Sequence, residues 1–226
     1  MVNVRWPRAL RLIRTIHPPI DLFEDIADPR DWEALASLES KTNPRIWEHL
    51  GRLDLVPVER RVSGPGASYV MAPFVHCSTD RPGRFTDGTY GVYSAGDDEE
   101  VAIREVAHHH ARAMLAAQVE PGWHSQFRML VGSLDCDLVD LTGDAAVHDP
   151  DSWTHPQARG AALRRDGAGG VLYNSVRCPG GQCAALFWPD LIPIPLQGDH
   201  FQVHWNGSEV DRVLNLASRR EFSLVA

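Results

Sequence analysis

Six polar residues of this sequence stand in loops or at the ends of apolar segments, where no simple structural role accounts for them: Arg14, Arg84, Tyr93, Glu105, Ser175 and Arg177. Loops and strand ends held by a rigid scaffold are where binding and catalytic side chains are concentrated. We interpret Glu105 as a carboxylate that faces a cleft whose other wall carries Arg84 and Tyr93. The alternative is that each residue is structural, for example a solvated glutamate or a core tyrosine with a bonded hydroxyl.

The segment 83–117 must position three of these candidates. A loop with Arg84 leads into a β-rich run at residues 89–94, and a helix follows. Asp97 is predicted to cap that helix, with Glu100 completing an acidic capping box. At about 100° per residue the helix forms an apolar stripe of Ile103, Val106, Ala107, His110 and Met114. Glu105 falls on the far side of the helix from this stripe, so it is available to a cleft.

The remaining elements predict an α+β chain. Residues 28–50 read as two helices that form an N-terminal insertion or lid, with Trp32, Leu35, Ala36 and Leu38 facing inward. A further helix at 157–165 ends at Gly167, where a left-handed residue is expected. Strands are predicted at 8–14, 127–134, 138–141, 170–175, 184–187, 201–205 and 221–225, and those at 170–187 can pair as a hairpin. Because strands outnumber long helices without alternating with them, we predict one domain, residues 1–226, around a mixed, mainly antiparallel sheet.

Composition excludes several classes of function. The formal net charge is −8 and the isoelectric point is near 5.7, which disfavours a nucleic-acid partner, since that requires a basic surface. No run of eighteen apolar residues occurs, so we expect no membrane partner. The N-terminus lacks the apolar region of a signal peptide. Four cysteines in such a chain are expected to be reduced thiols in the cytoplasm.

Several familiar motifs are missing from the sequence. No Gly-x-Gly-x-x-Gly opens a helix, and neither a phosphate-binding loop nor a Gly-x-Ser-x-Gly elbow occurs. The three consecutive histidines at 108–110 suggest zinc, but adjacent helix positions point about 100° apart and cannot all reach one ion. Cys178 and Cys183 have no second ligand pair after them, so we interpret them as buried thiols beside a loop. We therefore predict no metal site.

Two blocks of sequence resemble the RES domain family. The first contains Arg84-Phe85, Tyr90-Gly91-Val92-Tyr93 and Ala102-Ile103-Arg104-Glu105, and the second contains Tyr173-Asn174-Ser175-Val176-Arg177 followed by residues 180–187, Gly-Gly-Gln-Cys-Ala-Ala-Leu-Phe. Segments 18–23 and 64–74 resemble longer members, so the resemblance extends from about residue 11 to about residue 189. Many shorter members follow the loop arginine with Trp-Asn, whereas Phe85-Thr86-Asp87 follows it here. The family is named for its arginine, glutamate and serine, and its members are the toxin halves of RES–Xre toxin–antitoxin pairs.

The resemblance implies an ADP-ribosyltransferase-like fold and NAD+ as the substrate. Cleavage of the nicotinamide–ribose bond passes through an oxocarbenium-like state, and Glu105 matches the family glutamate that holds the ribose and favours that charge. Planar guanidinium groups are suited to binding a pyrophosphate, so Arg84 and Arg14 are assigned to the pyrophosphate of NAD+. Tyr93 is assigned as a flat wall for nicotinamide, and Ser175 as a hydrogen-bonding partner of the nicotinamide amide or a ribose hydroxyl. Arg177 is the last residue that the resemblance assigns to NAD+ binding.

The first strand offers two arginines for the cleft. Arg11 and Arg14 have opposite parity, so only one of them can face it. We favour Arg14, which stands beside the turn at Pro18-Pro19.

The resemblance thus implies a toxin that cleaves NAD+. We predict that it transfers ADP-ribose to a protein acceptor, because the segment 28–50 offers a surface for such a protein; the alternative is that this segment binds the antitoxin. An NAD+ glycohydrolase or phosphorylase is the alternative, because the residues do not identify the acceptor. A non-catalytic binding module and a carbohydrate hydrolase with Asp87 as second carboxylate are further hypotheses. The expected partner is a cognate Xre-type antitoxin that covers the cleft.

Overall fold

The computed structural model describes residues 1–17, 19–24, 28–43 and 45–224 of the 226-residue chain. Its helices are α1 (Asp21–Glu24), α2 (Trp32–Glu39), α3 (Ile46–Leu50), α4 (Ala67–Val75), α5 (Glu99–Ala116) and α6 (Thr154–Arg165). Its strands are β1 (Val2–Arg14), β2 (Tyr93–Gly96), β3 (His124–Asp140), β4 (Gly170–Asn174), β5 (Gln182–Leu186), β6 (Leu196–Trp205), β7 (Val210–Asn215) and β8 (Glu221–Ser223). Short 3-10 turns at Leu53–Leu55, Val58–Arg60, Ala145–His148 and Pro189–Leu191 connect some of these elements.

The eight strands form one sheet in the order β1-β2-β5-β4-β3-β6-β7-β8, and β1 also pairs with β3. The β3–β4 pairing is parallel and the others are antiparallel. Because β1 contacts both β2 and β3, the strands β1, β2, β5, β4 and β3 form a closed circuit. Among the described residues, β1 is joined to β2 through a single pair, Leu10 with Gly96, so the two strands diverge from that point. The predicted mixed, mainly antiparallel sheet is confirmed.

Some element boundaries differ from the predictions. The long strand β3 replaces the two strands predicted at 127–134 and 138–141, because Gly132 continues the ladder by pairing with Ala9 of β1. The hairpin of β4 and β5 is confirmed, as is the positive φ of Gly167 (84°) after α6. Strand β7 and the helices α1 and α4 were not predicted. Pro18 of the predicted turn and Val225 of the predicted last strand lie outside the described residues.

Helix α5 begins one residue later than the capping prediction. Asp98 is the N-cap, because its carboxylate accepts a hydrogen bond from the backbone N–H of Glu100 at 2.8 Å. The carboxylate of Asp97 instead accepts from the backbone N–H of Gln182 at 2.9 Å. The prediction that Asp97 caps the helix is therefore wrong, and Asp97 joins the end of β2 to β5.

Three apolar clusters hold the elements together. The largest lies between the curved sheet and the N-terminal helices, and it includes Phe23, Met71 and Leu138. The second packs α5 against β1, β3, β6 and β7, with Ile103 fully buried at its centre. The third joins the loop after Arg84 to β4 and β5 through Phe85. Helix α5 is thus fixed on the sheet by its apolar stripe, and the side next to the stripe, which carries Glu105 and His109, faces the cleft together with Val106.

The segment 28–50 contributes its inward residues to the largest cluster. Trp32 and Ala36 are buried, and the rings of Trp32 and Phe23 lie 4.8 Å apart. Leu35 and Leu38, which were predicted to face inward, are 38% and 63% exposed. For Leu38 the reason is helical geometry, since Trp32 and Ala36 are four residues apart and share one face, which Leu38 does not. Leu35 lies at the edge of that face and is the less exposed of the two.

Candidate active site

A cavity of about 370 Å³ lies beside the point where β1 and β2 diverge. Its walls include Glu105 of α5, Arg84 of the preceding loop, Arg11 of β1 and Tyr173 of β4. Arg81 also borders it, so three guanidinium groups surround the space. Among the described residues that line the cavity, Glu105 is the sole acidic one. The site therefore combines one carboxylate, three guanidinium groups and an aromatic wall.

The carboxylate of Glu105 is oriented by Ser175. The hydroxyl Oγ of Ser175 lies 2.6 Å from Oε1 of Glu105. The same Oγ accepts hydrogen bonds from the backbone N–H groups of Arg177 at 3.2 Å and Cys178 at 3.0 Å. A hydroxyl has one hydrogen to donate and two lone pairs with which to accept, so the Ser175 hydrogen must point to Glu105. Oε1 is thereby occupied, while Oε2 has no protein partner among the described residues.

Arg84 is buried and tied to the polypeptide on the far side of the cavity. Its Nη1 donates to the carbonyl oxygens of Val147 at 2.9 Å and Asp149 at 2.8 Å. Burial lowers the pKa of the Arg84 guanidinium, and the neighbouring Tyr173 and Glu105 oppose that shift. The position of Arg84 is therefore set by backbone contacts and its charge lies in the field of Glu105.

The loop that carries Arg84 is held on both sides. Nε2 of Gln157, on α6, donates to the carbonyl oxygen of Gly83 at 3.0 Å. Gly88 has φ of +93°, and a Cβ atom at this position would lie 2.1 Å from the carbonyl oxygen of Ser78. A side chain is therefore excluded at Gly88 by backbone conformation and by contact. These contacts fix the loop before any ligand binds.

Tyr93, which the resemblance assigns as the nicotinamide wall, is not among the residues that line the cavity. Strand β2 pairs Tyr93 with Leu186, and both side chains belong to the largest apolar cluster. The ring of Tyr93 is 3% exposed, and the guanidinium of Arg11 lies 4.7 Å from its centroid. Burial raises the pKa of the Tyr93 hydroxyl. The ring of Tyr93 is therefore enclosed by the apolar cluster and by Arg11, and Arg11 rather than Tyr93 borders the cavity.

Tyr173, rather than the predicted Tyr93, provides an aromatic wall of the cavity. Its ring lines the cavity and packs edge-on against Phe85, with centroids 4.8 Å apart. Burial raises the pKa of Tyr173 well above its usual range, so the phenol is neutral. The signal for this residue was available, because Tyr173 and Ser175 are two positions apart and share a face in extended chain.

Arg11 lines the cavity and Arg14 does not, contrary to the choice made from the sequence. Nη1 of Arg11 donates to the carbonyl oxygen of Ser94 at 2.8 Å. Arg14 lies instead near the imidazole of His110, whose pKa is lowered first by burial and then by the charge of Arg14. As the alternation of side chains along β1 requires, only one of the two arginines faces the cleft, and that residue is Arg11.

Arg177 also lies outside the cavity lining. Its Nη2 donates to Nε2 of His108 at 3.1 Å and to the carbonyl oxygen of Pro150. Because arginine can only donate, Nε2 of His108 must be the unprotonated nitrogen. Burial, followed by the charge of Arg177, lowers the pKa of His108 to about 4, which is consistent with a neutral ring. Arg177 thus ties the loop after β4 to α5, and in this way supports the Ser175 turn.

The three consecutive histidines have separate partners, as helical geometry requires. His108 contacts Arg177, His109 lies at the cavity wall, and Nε2 of His110 is 2.9 Å from the hydroxyl of Ser125. Within the described part of the chain, no group of three or more His, Cys, Asp or Glu side chains is arranged to hold a metal ion. No helix in the same part of the chain is long and apolar enough to cross a membrane.

A comparison with protein-family models agrees with the resemblance seen in the sequence. A family model described as the RES domain matches residues 58–206. The uncharacterized protein y4oC of Sinorhizobium fredii (strain NBRC 101917 / NGR234) is 26% identical over 200 residues, covering 88% of this chain and 84% of that protein. The crystal structure of the M. tuberculosis MbcT–MbcA toxin–antitoxin complex aligns with 87% of this chain and 86% of that chain, at 13% identity and a TM-score of 0.44.

Proposed function

Because this chain belongs to the RES domain family, we propose that it is a toxin that cleaves NAD+ at the nicotinamide–ribose bond and transfers ADP-ribose to a protein acceptor. The observation that carries the proposal is the carboxylate of Glu105, oriented by Ser175 in a cavity that also contains Arg11, Arg81 and Arg84. The cytoplasm, which holds a large pool of NAD+, is the proposed place of action.

The chemistry required of Glu105 follows from the bond that breaks. The electron pair of the C1′–N bond leaves with nicotinamide and neutralises its ring nitrogen, so positive charge develops on the ribose. A fixed carboxylate stabilises that charge, and a single contact of this kind contributes about 10²–10³ in rate. With Oε1 held by Ser175, Oε2 is the oxygen that accepts a hydrogen bond from a ribose hydroxyl. The acceptor then bonds to C1′ and loses a proton.

The other cavity residues match the remaining parts of NAD+. The pyrophosphate carries negative charge, and planar guanidinium groups such as those of Arg11 and Arg84 suit it. The nicotinamide ring needs a flat surface, which Tyr173 and Phe85 provide. We assign the binding roles accordingly, with Ser175 and Arg177 positioning Glu105 and the adjoining loop.

A two-carboxylate carbohydrate hydrolase fits the site less well. That chemistry requires a second carboxyl group about 5–10 Å from the first. The candidate named from the sequence, Asp87, accepts hydrogen bonds from the backbone N–H of Thr89 at 2.9 Å and from its hydroxyl at 2.6 Å. It is not among the residues that line the cavity.

The choice of a protein acceptor is supported by the surface of the N-terminal helices. Leu38 and Trp47 are 63% and 42% exposed on these helices, and we propose that they contact the acceptor protein. The same surface could receive an antitoxin. We propose that a cognate Xre-type antitoxin covers the cleft and keeps the enzyme inactive. A purified complex that turned over NAD+ as fast as the free chain would contradict this role.

The test is incubation of the purified chain with NAD+, with and without cell lysate, while nicotinamide release and protein masses are followed. We expect nicotinamide release together with a mass increase on a lysate protein. Glu105→Gln, which keeps the shape of the side chain but not its charge, is the matched control and should release almost none.

Two other outcomes would change the proposal. Nicotinamide release without any protein mass change would replace transfer with hydrolysis or phosphorolysis, and addition of phosphate would distinguish these. No release from folded chain free of antitoxin would contradict an NAD+-consuming enzyme and favour a binding module.

A further inference from the structure

A second cavity, of about 510 Å³, adjoins the one that contains Glu105. It lies between β1 and the N-terminal helices, and its walls come mainly from β1, α3 and α4. The two cavities share four wall residues, Arg11, Pro73, His76 and Arg81. A ligand with two separate ring systems could therefore occupy both spaces and cross the boundary beside these residues.

The second cavity has the composition of a site for a flat heterocycle. Ile13, Ile20 and Ala72 supply an apolar surface, and Tyr69 adds an aromatic ring. Glu48 and His49 supply polar groups at the exposed side of the cavity. Pockets that are mainly apolar with a few placed polar groups are typical of small-molecule sites. Carboxylates are also the groups with which proteins commonly hold ribose hydroxyls.

The boundary between the cavities is cationic. Arg11 contacts the carbonyl oxygen of Ser94 through Nη1, but its buried Nε has no hydrogen-bond partner among the described residues. Arg81 is exposed and forms no ion pair with any described residue. His76, between them, is half-buried, and burial lowers its pKa, so its imidazole is neutral and can both donate and accept. Unsatisfied guanidinium N–H groups at this point favour an anionic ligand.

We propose that the second cavity binds the adenosine half of NAD+, with the pyrophosphate beside Arg11 and Arg81 and the reactive ribose beside Glu105. This inference rests on the proposed function, because Glu105 decides which half of the dinucleotide occupies the first cavity. A dinucleotide is two nucleosides joined by a pyrophosphate, which matches two adjoining cavities with guanidinium groups between them. The second cavity thus sets the preference for a dinucleotide over a mononucleotide.

The experiment compares NAD+ with nicotinamide mononucleotide, which contains the same scissile bond but lacks the adenosine half. The wild-type chain should have a KM for NAD+ at least about tenfold below that for the mononucleotide, the equivalent of one good contact. Ala72→Phe, which fills the second cavity, should raise the KM for NAD+ about tenfold and leave the mononucleotide unchanged. Should that variant fail to fold, His49→Ala at the exposed edge of the cavity should likewise raise the KM for NAD+ and leave the KM for the mononucleotide unchanged. Arg52→Ala, on the same N-terminal region but outside both cavities, is the control.

Binding of AMP, measured by calorimetry, separates this inference from the proposed function. The wild-type chain and Glu105→Gln should both bind AMP, and Ala72→Phe should weaken that binding about tenfold. Cleavage of NAD+ with the same KM in wild type and both cavity variants would overturn the adenosine site while leaving the proposed function in place. Absence of NAD+ cleavage in wild type would remove the proposed function, and the AMP measurement would then decide whether a nucleotide binds the second cavity.

Discussion

Ser175 and Glu105 are 70 residues apart in the sequence, and their side chains meet with Oγ 2.6 Å from Oε1. Two backbone N–H groups, those of Arg177 and Cys178, occupy the acceptor positions of the same hydroxyl. The turn after β4 therefore determines the direction of a hydrogen bond to a helix on the other wall of the site. Catalytic carboxylates depend on such orientation, because misplacement by about 1 Å is costly in rate.

Ser175→Ala should lower the rate of nicotinamide release by about tenfold or more, because Glu105 loses the contact that orients it. Ser175→Thr retains the hydroxyl and should recover much of the loss. Glu105→Gln should lower the rate of nicotinamide release by a factor of about 10²–10³. Adding Ser175→Ala to this variant should lower the rate little further, since the two residues act as a unit. Thermal unfolding checks that each variant is folded. Full activity of Ser175→Ala would show that Glu105 needs no positioning.

Arg11 and Arg14 should differ in their effect on activity. Arg11→Ala removes a guanidinium from the cavity wall and should lower kcat/KM for NAD+ by about tenfold or more. Arg14→Ala, three positions away on the same strand, should leave kcat/KM within about twofold, because its side chain does not line the cavity. Steady-state kinetics of the two variants measures the difference. An equal loss of kcat/KM in the two variants, or a larger loss for Arg14→Ala, would contradict the placement of Arg11 at the cavity.

His110 should make the fold sensitive to acid. Burial lowers its pKa to about 4, with a further contribution from Arg14, against an ordinary value of 6.5. The folded chain therefore resists the proton that the unfolded chain accepts below pH 6.5. The stability that neutral His110 provides is present above pH 6.5 and is lost as the pH falls toward 4.

His110→Gln keeps a polar group near Ser125 and removes this titration. Urea unfolding between pH 6.5 and 4 should show a shallower dependence of the unfolding free energy on pH in the variant, by up to about 1.4 kcal/mol per pH unit. His155→Gln, at an exposed histidine, is the matched control for the loss of an imidazole. Parallel curves for wild type and His110→Gln would contradict the prediction.

Arg61→Ala should destabilise the N-terminal helices by about 2–4 kcal/mol, because buried carbonyl oxygens would lose their donors. The side chain of Arg61 is 3% exposed, and it donates to the carbonyl oxygens of Pro29, Leu53 and Val56 as well as to Glu33. Chemical denaturation measures the loss. Arg5→Ala removes an exposed pair with Asp135 and should leave the midpoint unchanged. Comparable midpoints for both variants would mean that Arg61 does not hold this region.

Local patterns in the sequence were sufficient for much of the architecture. The apolar stripe of α5, the hairpin of β4 and β5 and the positive φ at Gly167 follow from helical periodicity, turn residues and glycine chemistry over short stretches. The cap of α5 was missed by one residue, because Asp97 and Asp98 are equally suited to capping. The choice between them depends on Gln182, a partner 85 positions from Asp97 in the sequence.

The candidate site, like the fold, follows partly from local sequence patterns and partly from tertiary contacts. The sequence by itself determined that Glu105 lies opposite the apolar face of its helix and that one arginine of the first strand can face the cleft, because both depend only on the periodicity of a single element. The tertiary structure decided that Tyr93 faces the core, that Tyr173 lines the cavity and that Arg11 rather than Arg14 borders it. Which face of a strand meets the cavity is set by the pairing of β1, β2, β5 and β4. A shift of one residue in the register of a strand would move its side chains to the other face of the sheet.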